Sequence, residues 1–242
     1  MQKVDPARTL AARLAPKLEA DRLIGLYAFN YEIARVAETV SDATLGEIRL
    51  QWWREAIEEI RDGKKVRAHD AAESLERALK GRQYPFDLLL QLVDARERDL
   101  DEAPFNSVDE LAAYAEATAG KLALAAAHSQ TAAPIATIVQ SGLLRAGQAW
   151  GLAGLAREQS LAKQFNARPR LPMTPSADEI AAAARQAHKD ARSMLRGAPA
   201  EILPAYAYAA LVPSLTRSFS VQAASPLGMR WRILRAAITG GV

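Results

Sequence analysis

The sequence predicts an all-α protein, and three observations support that class. Alanine, which has the highest helix propensity, is abundant, whereas aromatic residues make up only 6% of the chain. Apolar residues recur at three- and four-residue steps in nearly every segment, which is the period of one helix face. Capping-box patterns mark three helix starts: Thr44 with Glu47, Ser107 with Glu110, and Ser176 with Glu179. We therefore expect more than about 60% helix and essentially no sheet.

The first quarter of the chain contains the segment around which the other helices are predicted to pack. Residues 6–16 form a short amphipathic helix, and Pro16 can begin the next one. The segment Leu26–Ile60 is then predicted to be two helices joined near Ser41–Thr44, where short polar residues supply the caps.

In the second of these helices, Trp52 shares a four-residue repeat with Ile48 and Ala56. We predict that this stripe faces the core, so that Trp52 is structural. The adjacent Trp53 would then cover a neighbouring helix, because consecutive side chains project about 100° apart. The helix is expected to end at Gly63, which suits a left-handed C-cap.

Seven further helices are predicted downstream. They cover residues 69–79, 85–93, 108–125, 135–161, 176–195, 202–219 and 226–238. Gly120 lies inside one of them at a cost of about 1 kcal/mol relative to Ala, which indicates close packing. No internal repeat or linker is visible, so residues 1–242 are predicted to form one domain.

The acidic segment at residues 94–102, with the sequence DARERDLDE, has two interpretations. Carboxylates on neighbouring turns can hold Mg²⁺. Alternatively, the alternating charges form a solvated helix face.

The composition argues against several classes of function. The chain has no cysteine, which excludes disulfides and thiolate catalysis, and a net charge of +3 is too small to indicate nucleic-acid binding. The first residues lack the apolar core of a secretory signal, and no apolar run approaches the about 20 residues of a transmembrane helix. His69, His128 and His188 have no metal-ligand spacing, so they are interpreted as ordinary surface or helix-end residues.

Two motifs carry a family resemblance. Tyr27-Ala28-Phe29 begins an aromatic-rich helix, and Arg49–Arg54 gives the pattern RLxWWR. This pair resembles the first signature of the squalene/phytoene synthase family, and the similarity extends over nearly the whole chain. The run FNxExAxV at residues 29–36 is most similar to the branch that includes the mitochondrial assembly factor of respiratory complex I and its bacterial relatives. The resemblance implies an isoprenoid-synthase-like helical bundle around a central cavity.

The prenyl transferases of that family bind Mg²⁺ through two DxxxD-type motifs on facing helices, and both motifs are altered here. In the first motif, Ala34, Arg35 and Glu38 take the acidic positions. In the second motif, Glu158 and Ala162 take the places of the two aspartates. Glu38 and Glu158 are the remaining candidate metal ligands. A metal cluster of the family type is therefore not expected, and no cofactor is expected.

The resemblance also implies an anion-binding site, because guanidinium groups suit phosphate oxygens. The candidates for binding a ligand or a diphosphate are Arg49, Arg54, Arg157, Arg168 and Arg170, with Tyr27 and Tyr114 as cavity-lining aromatic residues. For Arg49 and Arg54 the alternative is that they make only surface ion pairs.

We expect a catalytically diverged member of this family that binds a lipid, a prenyl chain or a protein partner, such as a respiratory complex I subunit or assembly protein. The alternative is a Mg²⁺-dependent prenyl diphosphate transferase with atypical ligands from Glu38, Glu158 and Asp94–Asp99. Arg35 directed into the cavity would favour the binding protein, whereas four converging carboxylates would favour the enzyme. The expected location is the cytoplasm, with peripheral association with the inner membrane as an option, and nucleic acid is not an expected partner.

Overall fold

The computed structural model describes residues 1–81, 83–217, 219 and 226–239. The chain is 73% helical, and no strand occurs in these ranges, which confirms the all-α prediction. The α-helices in the described ranges are, in chain order, α1 (Pro6–Ala12), α2 (Lys17–Ala34), α3 (Val36–Thr39), α4 (Ala43–Arg61), α5 (Asp70–Leu79), α6 (Phe86–Asp94), α7 (Val108–Ala115), α8 (Lys121–Gln130), α9 (Thr137–Gln164), α10 (Ala177–Met194), α11 (Val212–Leu215) and α12 (Pro226–Thr239). None of the helices in the described part of the chain is long and apolar enough to cross a membrane.

The junction between α2 and α4 differs from the prediction. A short helix, α3, follows α2 after the single residue Arg35, and α4 begins at Ala43, one residue before the predicted cap Thr44. Asp42 caps α4 by accepting a hydrogen bond from the Leu45 amide at 3.0 Å. The predicted capping box at Thr44 and Glu47 is therefore wrong, because the carboxylate of Asp42 already satisfies a free amide of the first turn. The predicted end of α4 is confirmed, since Gly63 has a φ of 66°.

The buried face of α4 lies one position away from the predicted stripe. Ile48 is 60% exposed, and Trp52 is only half-buried. Trp53, at 4% exposure, is the core residue, and its ring meets Phe29 edge-on with centroids 5.2 Å apart. The assignment of Trp52 to the core is therefore wrong: the neighbours of α4 cover the face that carries Leu50, Trp53 and Ile57.

The long helix α9 packs against α10 and against the turn at residues 116–120. A Cβ on Gly147 would lie 2.1 Å from the carbonyl oxygen of Ala119, and a Cβ on Gly120 would lie 2.8 Å from that of Leu144. The two backbones are thus in direct contact, as the glycine inside the predicted helix indicated. The predicted continuous helix from residue 108 is instead interrupted by one π-helical turn, Glu116–Gly120.

The predicted helix at residues 202–219 is also wrong. Two 3₁₀ segments, Ala200–Ala205 and Ala207–Leu211, precede the short helix α11. Pro204 explains the break, because proline has no amide hydrogen for an α-helical hydrogen bond. Residue 218, within the predicted helix, lies outside the described residues.

The loop between α9 and α10 is fixed at both ends. The capping box of Ser176 and Glu179 at the start of α10 is confirmed. Phe105 pairs with the loop through its amide, 2.9 Å from the Pro172 carbonyl oxygen, and its own carbonyl accepts from Thr174 at 2.9 Å. These contacts hold Arg170 near the acidic residues of α3 and α9.

Candidate functional site

A cavity of about 410 Å³ lies among α1, α2, the 116–120 turn and α9. This volume falls within the about 300–1,000 Å³ typical of small-molecule sites. Small side chains leave the space open, with Ala34 on α2, Ala119 on the turn, and Gly151 and Gly154 on α9. Trp150 and Leu155 add apolar surface.

Four arginines line this cavity: Arg8, Arg35, Arg96 and Arg170. Three lining carboxylates accompany them: Asp5, Glu38 and Glu158. The lining is therefore mixed in charge, with one more cation than anion.

Arg8 is buried at the α1 side of the cavity. Its guanidinium forms a 2.9 Å ion pair with Asp5 and lies 4.9 Å from the ring centre of Tyr208 and 5.8 Å from that of Tyr27. Burial opposes the charge, but Asp5 together with Tyr208 and Tyr27 outweighs burial and raises the pKa of Arg8 above its ordinary value. Arg8 is thus a fixed cation in an aromatic surrounding.

A network of hydrogen bonds and ion pairs lies on the other side of the cavity. The Asp99 side chain, only 2% exposed, accepts hydrogen bonds from Arg96 at 3.4 Å, from Arg170 at 3.4 Å, and from the Tyr114 hydroxyl. Arg96 also donates to the Tyr114 oxygen at 3.0 Å and to the Asn30 side chain at 3.4 Å. These contacts hold the side chains in place around one buried carboxylate.

Arg170 joins that network to both altered acidic motifs. Its guanidinium is 3.7 Å from the Glu38 carboxylate on α3, and its backbone amide donates to the Glu158 carboxylate on α9. Burial acts against the charge of Arg170, but Tyr114, Asp99 and Glu158 keep its pKa above the ordinary value. Arg170 therefore contacts both candidate metal ligands, Glu38 through its guanidinium and Glu158 through its backbone amide.

Arg35 lines the cavity without such a partner. Its guanidinium lies 4.9 Å from the ring centre of Tyr31. Within the described residues, no carboxylate comes within ion-pair distance of it. This side chain can therefore pair with an anion that enters the cavity.

Unsatisfied donors also border the cavity. The Tyr27 hydroxyl is buried and has no hydrogen-bond partner within the described chain, and burial raises the pKa of Tyr27 well above its ordinary value. The Nε atoms of Arg8 and Arg96 likewise have no partner there. Buried donors without partners are costly. These three atoms have almost no accessible surface, so a ligand in the cavity would reach them only if the lining shifted.

A family-type Mg²⁺ cluster does not fit the residues present. Mg²⁺ requires near-octahedral oxygen coordination, supplied mainly by carboxylates, phosphates and water. Among the described residues, no group of three or more histidine or acidic side chains is placed to hold a metal. The two candidate ligands, Glu38 and Glu158, face Arg170 instead.

The structure brings five of the nine predicted site residues to the cavity. They are Tyr27, Glu38, Tyr114, Glu158 and Arg170. Arg168 borders an adjoining surface depression, and Arg157 does not line the cavity.

Arg49 and Arg54 do not line the cavity either, which corrects the hypothesis that they look into it. Arg49 donates to the Thr39 hydroxyl at 2.7 Å, and Arg54 pairs with Asp94 at 2.8 Å and with Glu97. The first part of the acidic segment therefore contributes an ion-pair cluster with α4, because α6 packs beside that helix.

Sequence reasoning did not identify Arg8 and Arg96 as site residues. Arg8 lies in a short helix far from the recognised motifs, and Arg96 lies in a segment dominated by acidic residues. The proline at the start of α1 gives no indication that the helix closes a cavity.

The helices and the cavity define a protein with the isoprenoid synthase fold. The chain superposes with a TM-score of 0.71 on the crystal structure of a dehydrosqualene synthase in complex with a ligand, over 99% of this chain and 93% of that one, at 15% identity. The family model of squalene/phytoene synthase matches residues 1–160, and the chain belongs to that family.

Curated relatives lie in one branch of the family. The chain is 28% identical over 232 residues to the mouse protein named NADH dehydrogenase (ubiquinone) complex I, assembly factor 6, covering 85% of this chain and 67% of the mouse protein. It is 33% identical over 122 residues to the human protein of the same name, covering 50% of this chain and 36% of the human one. The predicted resemblance to that branch is confirmed.

Proposed function

We propose that this protein is a catalytically diverged family member that binds an anionic amphiphile, such as a prenyl phosphate or an acidic lipid, in its arginine-lined cavity. The observation that carries the proposal is the placement of Arg35 and Arg170. Both lie at the cavity, and Arg170 contacts Glu38 through its guanidinium and Glu158 through its backbone amide. In this arrangement fixed guanidinium groups, rather than bound Mg²⁺, neutralise the ligand's head group.

The remaining lining supports an amphiphile over a small ion. Tyr27, Leu122, Trp150 and Leu155 supply apolar and aromatic surface for a hydrocarbon tail. Arg35, which has no carboxylate within ion-pair distance among the described residues, supplies donors for the head group.

The names of the mouse and human relatives support a second part of the proposal. We propose that the protein acts on respiratory complex I or one of its assembly proteins, and that the occupied cavity stabilises the form that binds this partner. A ligand that binds only the folded state stabilises that state in proportion to its occupancy.

Calorimetric titration with farnesyl diphosphate in the presence of EDTA tests the cavity. We expect the wild-type protein to bind, and Arg35→Ala to bind at least about tenfold more weakly, because a charged hydrogen bond contributes about 1.5–3 kcal/mol. Arg49→Ala is the matched control: it removes the same side chain outside the cavity and should leave the affinity unchanged. Absence of wild-type binding, or equal affinities for wild type and Arg35→Ala, would contradict the proposal.

The alternative function is Mg²⁺-dependent prenyl transfer. It rests on the position of Glu38 and Glu158, which line one cavity from separate helices. Release of inorganic diphosphate from farnesyl diphosphate with Mg²⁺, abolished by Glu38→Gln, would establish the enzyme in place of the binding protein.

A further inference from the structure

The helix α12 has two opposite faces of different character. Ile233 and Ala236 are buried, and α12 packs there against α1 and the Ala207–Leu211 segment. Leu227, Trp231, Leu234 and Ile238 are exposed, and Trp231 is 65% accessible. With about 100° between successive residues, these four side chains fall within an arc of about 60°. They form an exposed apolar stripe along the whole helix.

Arginines flank this apolar stripe. On the same helical projection, Arg230 and Arg235 lie about 40° beyond its two edges, and Arg232 lies further round. All three side chains are exposed, and α12 contains no acidic residue. An apolar stripe with tryptophan, bordered by basic residues, is typical of helices that lie in the interface of a membrane.

We propose that α12 docks this protein on an anionic lipid surface. Leu227, Trp231, Leu234 and Ile238 would insert into the headgroup region, while Arg230, Arg232 and Arg235 would contact lipid phosphates. The charges favour lipid over a second copy of the chain, because two α12 helices would bring six arginines together without a carboxylate on either helix. The cavity is independent of this surface, since no residue of α12 lines it.

Co-sedimentation with phosphatidylcholine vesicles, with and without phosphatidylglycerol, tests the proposal. We expect sedimentation only with the anionic vesicles, and a decrease when salt rises from about 0.1 M to about 1 M, which shortens the screening length from about 10 Å to about 3 Å. The emission of Trp231 should shift to the blue on binding. Trp231→Phe should lose most of that shift and still sediment.

Two pairs of variants assign the surface. Trp231→Glu should weaken vesicle binding at least about tenfold, whereas Ile48→Glu, at a similarly exposed apolar side chain on α4, should not. Arg230→Glu combined with Arg232→Glu should also weaken it at least about tenfold, because each basic residue near an anionic surface contributes roughly fivefold. The control Lys163→Glu with Lys189→Glu changes the net charge equally and leaves α12 intact.

Circular dichroism must show that each variant keeps its helical content. Sedimentation that is equal with and without phosphatidylglycerol, or unchanged in Trp231→Glu, would overturn the proposal. A wild-type dimer that becomes monomeric in Trp231→Glu, without any binding to vesicles, would also overturn it and assign the stripe to a second copy.

Discussion

At the scale of the residue, the adjacent tryptophans of α4 have different energetic roles. Trp53 packs on Phe29 in the core, whereas the half-buried Trp52 contacts Trp53 and His69 and lies 5.8 Å from the Arg67 guanidinium. We expect Trp53→Ala to lower the free energy of unfolding by about 3–5 kcal/mol, the range for large aromatic truncations in a core. Trp52→Ala should cost about 1–2 kcal/mol. Urea titrations of both variants measure the difference, and a larger loss for Trp52→Ala would refute the assignment.

A second residue, His188, makes stability depend on pH. It was interpreted as an ordinary surface or helix-end residue, but it lies inside α10, is only 6% exposed, and its Nε2 atom has no hydrogen-bond partner within the described chain. Burial, aided by Arg192, lowers the pKa of His188 to about 4. As pH falls below about 6.5, the unfolded histidine takes up a proton that the folded one does not, so stability falls.

We therefore expect this residue to remove about 2 kcal/mol of stability between pH 7 and pH 5. His188→Leu should flatten that part of the pH profile, measured by urea unfolding at each pH. His69→Leu is a poor control because His69 caps α5. Burial also lowers the pKa of His128, so His128→Leu should flatten the profile as well, but less than His188→Leu. An identical decrease in wild type and His188→Leu would show that His188 does not titrate on unfolding.

At the scale of the element, two glycines of α9 should respond in opposite ways to the same change. A methyl group on Gly147 would lie 2.1 Å from the Ala119 carbonyl oxygen, and a backbone atom cannot move away as a flexible side chain can. Nothing lies within 4 Å of a methyl group on Gly154. We expect Gly147→Ala to destabilise by more than about 3 kcal/mol and Gly154→Ala to stabilise by up to about 1 kcal/mol through helix propensity. Melting temperatures of the two variants measure this, and similar values would show that α9 is not held against the 116–120 turn.

Local signals explain which elements could be predicted. The start of α10 and the end of α4 were predicted correctly because each depends on residues within one turn. Ser176 with Glu179 begins α10, and Gly63 ends α4. Whether Trp52 or Trp53 is buried depends on which face of α4 its neighbours cover, and the sequence of α4 alone allows either tryptophan to be the buried one. The 3₁₀ segments after residue 199 were missed because an apolar run with Pro204 also matches a helix pattern.

At the scale of the whole molecule, the fold and half of the site followed from family motifs. The helices that carry the family motifs place Glu38, Glu158 and Tyr27 at the cavity. Arg8 and Arg96 reach the cavity only because the fold packs distant segments together. Arg96, for example, donates to Asn30, which is 66 residues away in the sequence. The single domain stays a prediction. The buried apolar side chains form two groups, one that includes Phe29 and Trp53 and one that includes Phe105 and Ile180. Trp150 and Leu215 pack against both groups, which supports a single domain.

In the proposed cavity site, guanidinium groups take the place of metal ions. The most direct test is the ratio of the farnesyl diphosphate Kd in EDTA to the Kd with excess Mg²⁺. If Arg35 and Arg170 neutralise the head group, the ligand binds in EDTA and the ratio stays near or below about 1, because Mg²⁺ only competes for the diphosphate charge. Binding that requires Mg²⁺, with a Kd in EDTA at least about a hundredfold weaker, would contradict the account.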